Sequence, residues 1–300
     1  MRRNGEVGLM RISVHGGHSG QYCDHARDTL AEIVAAYHAA GFACVGLTEH
    51  MPPWDDSGLY PDEVALGRSA GWMEARFALY VAEARGLKRE YKDRMSILVG
   101  MESEWYPGCE KWVAELREYH SLDYVVGSVH HVQGICFDFS RESYTRAVTG
   151  CGGLTELYVA YFNAQYEMML AIRPEVVGHF DLIRIHDPHY LKTLAEPEVW
   201  ERVLRNLEWI QGAGAILDVN ARALLKGQPE PYVCAPILDA AARMGIAAAY
   251  GDDAHGVTDV GFGLERVEEL LAGRGMKRAG NLQFPGAKAS RRVNSSRRST

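Results

Sequence analysis

The residues able to do chemistry in this chain sit where short apolar runs end. Run 11–15 leads into His15-Gly16-Gly17-His18, with His25 shortly after. Later runs end in Thr48-Glu49-His50, Glu102-Ser103-Glu104, Ser128-Val129-His130-His131, His179-Phe180-Asp181 and Asp252-Asp253-Ala254-His255. One histidine after a strand is an ordinary loop or core residue, and His38 and His120, on or at the end of helical stretches, read that way. His186 and His189 fall in a loop and carry no clear signal. Six run ends delivering His, Asp or Glu are a different matter. Imidazole plus carboxylate without clustered cysteine suits zinc, iron or manganese. The candidates outnumber the three or four protein ligands of one catalytic metal, which points to two or three divalent ions. Close-set ions clamp the attacking and leaving oxygens of a displacement at phosphorus. No P-loop, GxGxxG or Ser-His-Asp pattern competes with this reading.

Such residues need elements that bring them together. Candidate strands are 11–15, 43–48, 96–102, 123–129, 176–179, 215–219 and 246–251, short and apolar as strands buried on both faces should be. Helical stretches alternate with them at 28–40, 69–93, 109–119, 154–172, 197–212, 235–244 and 264–272. The first shows Leu30, Ile33, Val34 and Tyr37 on one face. Alternation of this kind predicts βα units and a parallel sheet, open and doubly wound or closed as a barrel. In a parallel barrel the strand C-termini meet at one mouth, so residues scattered along the chain would converge there.

Composition bounds the rest. The 300 residues are 47% hydrophobic and 24% charged, which excludes wholesale disorder and collagen-like repeats. No apolar run has the ~18–20 residues of a membrane span. The N-terminal charges lack an apolar core behind them, so a cytoplasmic protein is expected. Six cysteines at irregular positions read as reduced thiols, and without a CxxC pair a zinc finger is excluded. The formal charge is −7, but residues 276–300 carry seven basic groups and no acid, which leaves −14 on the rest. An acidic body makes nucleic acid an unlikely partner. Residues 1–10 and 276–300 are expected to be disordered, the latter as a basic tail, flanking a domain over 11–275.

The chain resembles the polymerase-and-histidinol-phosphatase (PHP) superfamily, and within it the histidinol-phosphate phosphatases. The matching pieces are HGGHSGQYCDHA (15–26), GLTEHMPP (46–53), GMESEW (100–105), DYVVGSVHHVQG (123–134), VVGHFDLIR (176–184), LDVNARALLKGQPEPY (217–232) and GDDAHGVTDVG (251–261). The resemblance implies a distorted seven-stranded (β/α)7 TIM-like barrel with two or three divalent metal ions (Zn, Mn or Fe) at the strand C-termini. Carried over by position, it implies His15, His18, His25, His50, Glu102, His130, His179, Asp253 and His255 as metal ligands. Glu102 would bridge metals and, with Asp253 and His255, stand at the catalytic centre. Two departures are visible. The family usually has His-x-His in its first motif; aligned on His18 and His25, the first ligand position here is Gly16. Either His15 reaches in because Gly16 and Gly17 let the backbone bend, or one metal is lost. Leu225 stands where many relatives have a basic residue ahead of Lys226.

The implied reaction is hydrolysis of a small phosphomonoester, foremost L-histidinol phosphate. Arg184, Arg222 and Lys226 are the candidate phosphate-binding cations. Glu49 and Glu104 are candidates for orienting ligand histidines, Asn220 for a substrate hydrogen bond, and Trp54 and Tyr60 for walling the substrate. His131 faces either the mouth or the barrel wall. The competing readings are an enzyme acting on nucleotides or nucleic-acid ends, and a PHP domain that has lost catalysis.

Overall fold

A computed structural model describes residues 10–279. Its strands are β1 (Arg11–Ser13), β2 (Phe42–Leu47), β3 (Ser96–Val99), β4 (Met101–Glu104), β5 (Val125–Ser128), β6 (His131–Val132), β7 (Ile135–Cys136), β8 (Val176–Val177), β9 (Ile216–Asn220), β10 (Ala247–Gly251) and β11 (Lys277–Arg278). The helices are α1 (Leu30–Ala39), α2 (Pro61–Ala65), α3 (Ala70–Tyr91), α4 (Glu110–Tyr119), α5 (Arg141–Cys151), α6 (Leu154–Ile172), α7 (Tyr190–Leu194), α8 (Pro197–Ala213), α9 (Arg222–Leu225), α10 (Ala235–Arg243) and α11 (Leu264–Gly273). Helix α1 shows why the sequence forms them. The Thr29 side chain accepts the Glu32 amide while Glu32 reaches back to the Thr29 amide, and Leu30, Ile33, Val34 and Tyr37 are buried together.

The α/β alternation produces parallel pairing, as expected, but the ladders are two sheets and no closed barrel is detected. One is β1-β2-β3, the other β11-β10-β9-β8-β5-β4; β6 and β7 form a separate antiparallel hairpin. The third expected strand is broken at Gly100. The Tyr80 hydroxyl caps the Gly100 carbonyl at 2.8 Å and the Leu47 carbonyl at 2.6 Å, drawing both toward a side chain. Before the break the strand pairs with β2, after it with β5. Backbone bonds also run between the sheets, from Gly100 N to Leu47 O and from Val14 N to Tyr250 O, both 2.9 Å. Strand 176–179 shortens to two residues because His179 takes a positive φ of 20°.

The large apolar core lies under the helices. A second, small cluster (Val14, Cys44, Tyr124, Val126, Val176, Ile216, Ala249) draws on strand segments of both sheets. The C-terminal boundary of the folded unit lies beyond the expected 275. Met276 is buried, and Lys277 and Arg278 pair in parallel with Ala247 and Ala248. The expectations for residues 1–9 and 280–300 lie outside the described residues. Among the described residues no helix is long and apolar enough to cross a membrane.

At Gly100 an added Cβ would lie 2.7 Å from the Tyr124 ring and 2.9 Å from the Tyr124 carbonyl oxygen. Because one neighbour is backbone, the crowding cannot be relieved by a side-chain turn. Gly100→Ala is expected to cost about 1–3 kcal/mol in urea unfolding; an unchanged midpoint would show that the break tolerates a side chain.

Candidate metal centre

The strand ends deliver their polar residues to one place, and the backbone locks them there. His18 N bonds Ala254 O and Asp253 N bonds His15 O, both at 2.9 Å, so the first and last loops are one unit. His50 forms a parallel bridge to Glu102 across the join of the two sheets. Asp253 and His179 hold positive φ values of 49° and 20°, strained conformations that persist only where the surroundings impose them.

At the centre is Glu102, 1% exposed. Its Oε1 lies 2.8 Å from His179 Nε2 and 3.5 Å from His130 Nε2. Its Oε2 lies 3.3 Å from His15 Nε2, 3.3 Å from His50 Nδ1 and 3.8 Å from His18 Nε2. His18 Nε2 is also 3.3 Å from Asp253 Oδ1, and the His18 ring stacks on His255 at 4.4 Å. Burial alone would raise the Glu102 pKa, but the imidazoles of His15 and His50 hold it well below the usual carboxylate range.

Further carboxylates orient the imidazoles. Glu104 accepts from His130 Nδ1 at 2.7 Å and faces His50 Nδ1 at 3.0 Å. Glu49 accepts the Ser19 amide at 2.8 Å and stands 3.5 Å from His18 Nδ1. Glu104 thus has a hydrogen bond through which to orient an imidazole, while Glu49 stands beside His18 without one. Asp218 was not anticipated: it sits 2.9 Å from His15 Nδ1 and accepts the His179 amide at 3.2 Å. The available signal was a carboxylate inside an apolar run, Ile216-Leu217-Asp218-Val219, since a buried acid needs a partner. Asn220 turns its amide to Asp218 at 3.1 Å, serving this network.

His15 reaches in. It is fully buried, and a Cβ at Gly16 would collide with the Tyr37 hydroxyl and the Asp252 carboxylate, leaving no room for a ligand there. Among the described residues four sets bring ligand atoms within 4.8 Å of one another: His18, Cys23, His50 and His255; His15, His179 and Asp253; His15, His18 and Glu102; Glu102, His130 and His179. Eight of the nine expected ligands occur in them. His25 does not; its side chain is 45% exposed, its ring 5.0 Å from His255 and 5.4 Å from His50.

Above these groups opens a cavity of about 330 Å³, lined among others by His25, Tyr60, Arg222, Lys226 and Tyr232. Arg184 is not part of it, against expectation. It is fully buried, and its guanidinium is consumed by Asp181 (3.0 Å), Gln228 (3.1 Å) and the Glu230 and Pro231 carbonyls (2.9 and 2.8 Å). Trp54 is 64% exposed and does not line the cavity. His131 faces Tyr60 at 5.6 Å and lines a neighbouring pocket. His38 and His120 pack edge-on against Tyr91 and Phe77.

The donor set fits divalent ions. His15 Nε2, both ring nitrogens of His18, His50 Nε2 and Asp253 Oδ1 are buried without a hydrogen-bond partner. Atoms left this way cost about 1–3 kcal/mol each unless something satisfies them. Burial would lower the His18 and His130 pKa values. Charge from the Asp253 and Glu49 carboxylates beside it raises the first to about 9, and Glu104 raises the second to about 10. Both rings therefore carry a proton at neutral pH that a metal must displace. Zinc binding at pH 7 should release at least two protons per chain, and affinity should climb with pH until these groups have titrated. Indicator-dye measurements showing no release, with affinity flat from about pH 6 to 8, would contradict this.

Comparison with known proteins agrees with this geometry. The PHP domain model matches residues 16–222. A Schizosaccharomyces pombe protein named "Probable histidinol-phosphatase" is 36% identical over 266 residues, covering 87% of this chain and 86% of its own. The Saccharomyces cerevisiae histidinol-phosphatase is 30% identical over 294 residues, covering 86% and 87%. A solved structure from Listeria monocytogenes superposes with a TM-score of 0.76 at 25% identity, covering 85% of this chain and 99% of that one. The Lactococcus lactis histidinol phosphate phosphatase, solved with Zn, L-histidinol and phosphate, is alike in fold (TM-score 0.63, 18% identity, 94% and 99% covered). With the family model spanning most of the chain and relatives this close along nearly their whole length, the chain belongs to the PHP domain family.

Proposed function

We propose that this protein is a metal-dependent phosphomonoesterase that hydrolyses L-histidinol phosphate to L-histidinol and phosphate. One observation carries the reading: imidazoles from both sheets converge on Glu102 below a cavity whose wall bears Arg222 and Lys226. Two or three divalent ions, zinc, manganese or iron, would be held by His15, His18, His25, His50, Glu102, His130, His179, Asp253 and His255. Bound there, such ions polarise phosphate oxygens and lower the pKa of water from 15.7 toward ~7.

The remaining work falls to the chain. Arg222 is fixed by Asp259 at 2.8 Å, which aims a planar cation into the cavity, and Lys226 adds a second charge. Together they suit one phosphate. A nucleic-acid backbone would need many more such contacts, so the small-substrate reading is preferred. Glu104 and Asp218 hold ring orientation by keeping hydrogen bonds on the Nδ1 atoms of His130 and His15. Tyr60 and Tyr232 wall the cavity and exclude water from the reacting end. A cavity of about 330 Å³ is within the range that encloses a small ligand. Free cysteines throughout the described residues fit a reducing compartment such as the cytoplasm.

We also infer that the two sheets close into the distorted (β/α)7 barrel, β3 and β4 forming one stave. The backbone bonds across both joins and the small apolar cluster fed by both sheets support closure.

Two measurements test the function. With saturating Mn or Zn, kcat/KM for histidinol phosphate should exceed that for an aryl phosphate by at least ~100-fold, about 2.7 kcal/mol of transition-state binding. Equal values would reduce the protein to an unspecific phosphatase, and faster cleavage of an oligonucleotide would replace the reading. Glu102→Gln should lose more activity than Glu49→Gln or Glu104→Gln, because five imidazoles stand within 3.8 Å of the Glu102 oxygens, against three around Glu104 and one beside Glu49. Near-normal turnover of Glu102→Gln at full metal content would remove it from the centre.

A further inference from the structure

We propose that the Tyr232 hydroxyl is the proton donor to the leaving alkoxide, a catalytic residue of the phosphomonoester reaction. The inference rests on the phosphomonoesterase reading above and assigns a role that reading leaves open.

An alkyl phosphate parts with a strongly basic oxygen, so an acid placed beside the ester oxygen speeds the break. The cavity wall offers few groups for this. Its imidazoles, Glu102 and Asp253 belong to the set that would hold metal, and Arg222 and Lys226 meet the phosphate as cations. Two phenols remain, Tyr60 and Tyr232, and a phenol keeps its proton at neutral pH. The Tyr60 hydroxyl is already turned to the Glu104 carboxylate. Tyr232 differs: it is 1% exposed, and among the described residues its hydroxyl has no hydrogen-bond partner. A buried hydroxyl left this way is costly unless a ligand supplies the partner.

The ring is held in place for such a contact. The buried Arg184 guanidinium lies 4.7 Å from its centre, the His179 ring meets it edge-on at 6.3 Å, and the Tyr232 carbonyl accepts the Asn220 amide. His179 belongs to the cluster at the phosphate end. Asp138, on the wall that also carries Phe139, is near enough for its charge to act on the hydroxyl. Tyr232 thus stands between the reacting phosphate and the wall left for the organic part of the substrate, where the ester oxygen lies. There the oxygen of water bonds to phosphorus, and the bond from phosphorus to the ester oxygen breaks with its electron pair on that oxygen. The Tyr232 proton passes to it, giving the alcohol. The surplus proton of the attacking water leaves to solvent, and the phenolate takes one back from solvent.

Phosphate esters of graded leaving-group basicity, turned over by the metal-loaded full chain, provide the test. They run from 4-nitrophenyl phosphate, whose leaving oxygen needs no proton, to histidinol phosphate. Tyr232→Phe keeps the ring beside Arg184 and removes the donor. It should lower kcat for histidinol phosphate by about 100-fold and kcat for 4-nitrophenyl phosphate by no more than about threefold. Equal losses on both esters overturn the assignment, since the hydroxyl would then act on the phosphate. A change confined to KM, or no change, overturns it too. If Tyr232→Phe does not fold, the full chain carrying 3-fluorotyrosine at position 232 keeps the shape with a more acidic hydroxyl. It should raise the histidinol phosphate rate relative to the nitrophenyl rate, and an unmoved ratio overturns the proposal. All of these outcomes leave the phosphomonoesterase reading standing; a wild type that cleaves neither ester removes both.

Discussion

A buried carboxylate surrounded by imidazoles is the interaction on which the rest of this structure depends. Glu102 is 1% exposed, and an isolated charge at that depth would cost far more than a domain's net stability. It is tolerated because five histidines stand within 3.8 Å of its oxygens. They come from loops after β1, β2, β5 and β8, so the two sheets must both be in place before the charge is compensated. Site and fold are one cooperative unit, and the Gly100 break two residues earlier is where the chain crosses from one sheet to the other.

The acids behind the imidazoles follow from the same constraint. Glu104, Glu49, Asp218 and Asp253 are also buried, which concentrates negative charge in the centre of an already acidic body. Burial would raise the pKa values of Glu104 and Asp253, yet neighbouring histidines hold both well below the usual range. His15 is raised well above its ordinary value despite burial, by Glu102, Asp253 and Asp218. Protons on imidazoles balance the acids, and divalent ions held by the same nitrogens would replace those protons. The donor set is therefore poised for cations through its charge as well as its geometry.

Much of this was legible in the sequence, because strand-end residues obey simple placement rules. Runs ending in His50, Glu102, His130, His179 and Asp253-x-His255 needed only a parallel sheet to converge, and the α1 face of Leu30, Ile33, Val34 and Tyr37 supplied one layer over it. What escaped depends on three-dimensional partners. Nothing local to Gly16 says that Tyr37 and Asp252 fill the space beyond it. The break at Gly100 is imposed by Tyr80, a helix residue twenty positions upstream.

Arg184 illustrates how a plausible ligand becomes a strut. A guanidinium near a strand end reads as a phosphate fork, but this one is buried beside Asp181, whose Oδ2 also accepts the Cys234 amide at 3.0 Å. Its outer nitrogens bond Gln228 and the carbonyls of Glu230 and Pro231, and its plane lies 4.7 Å from the centre of the Tyr232 ring. Those bonds fix the segment whose two flanks, Lys226 and Tyr232, line the cavity. Arg184 thus shapes the cavity through other residues. Satisfying carbonyls in a loop that cannot form its own ladder is what places one cation and one aromatic wall at the cavity, while Arg222, its guanidinium bonded to Asp259, remains partly exposed there.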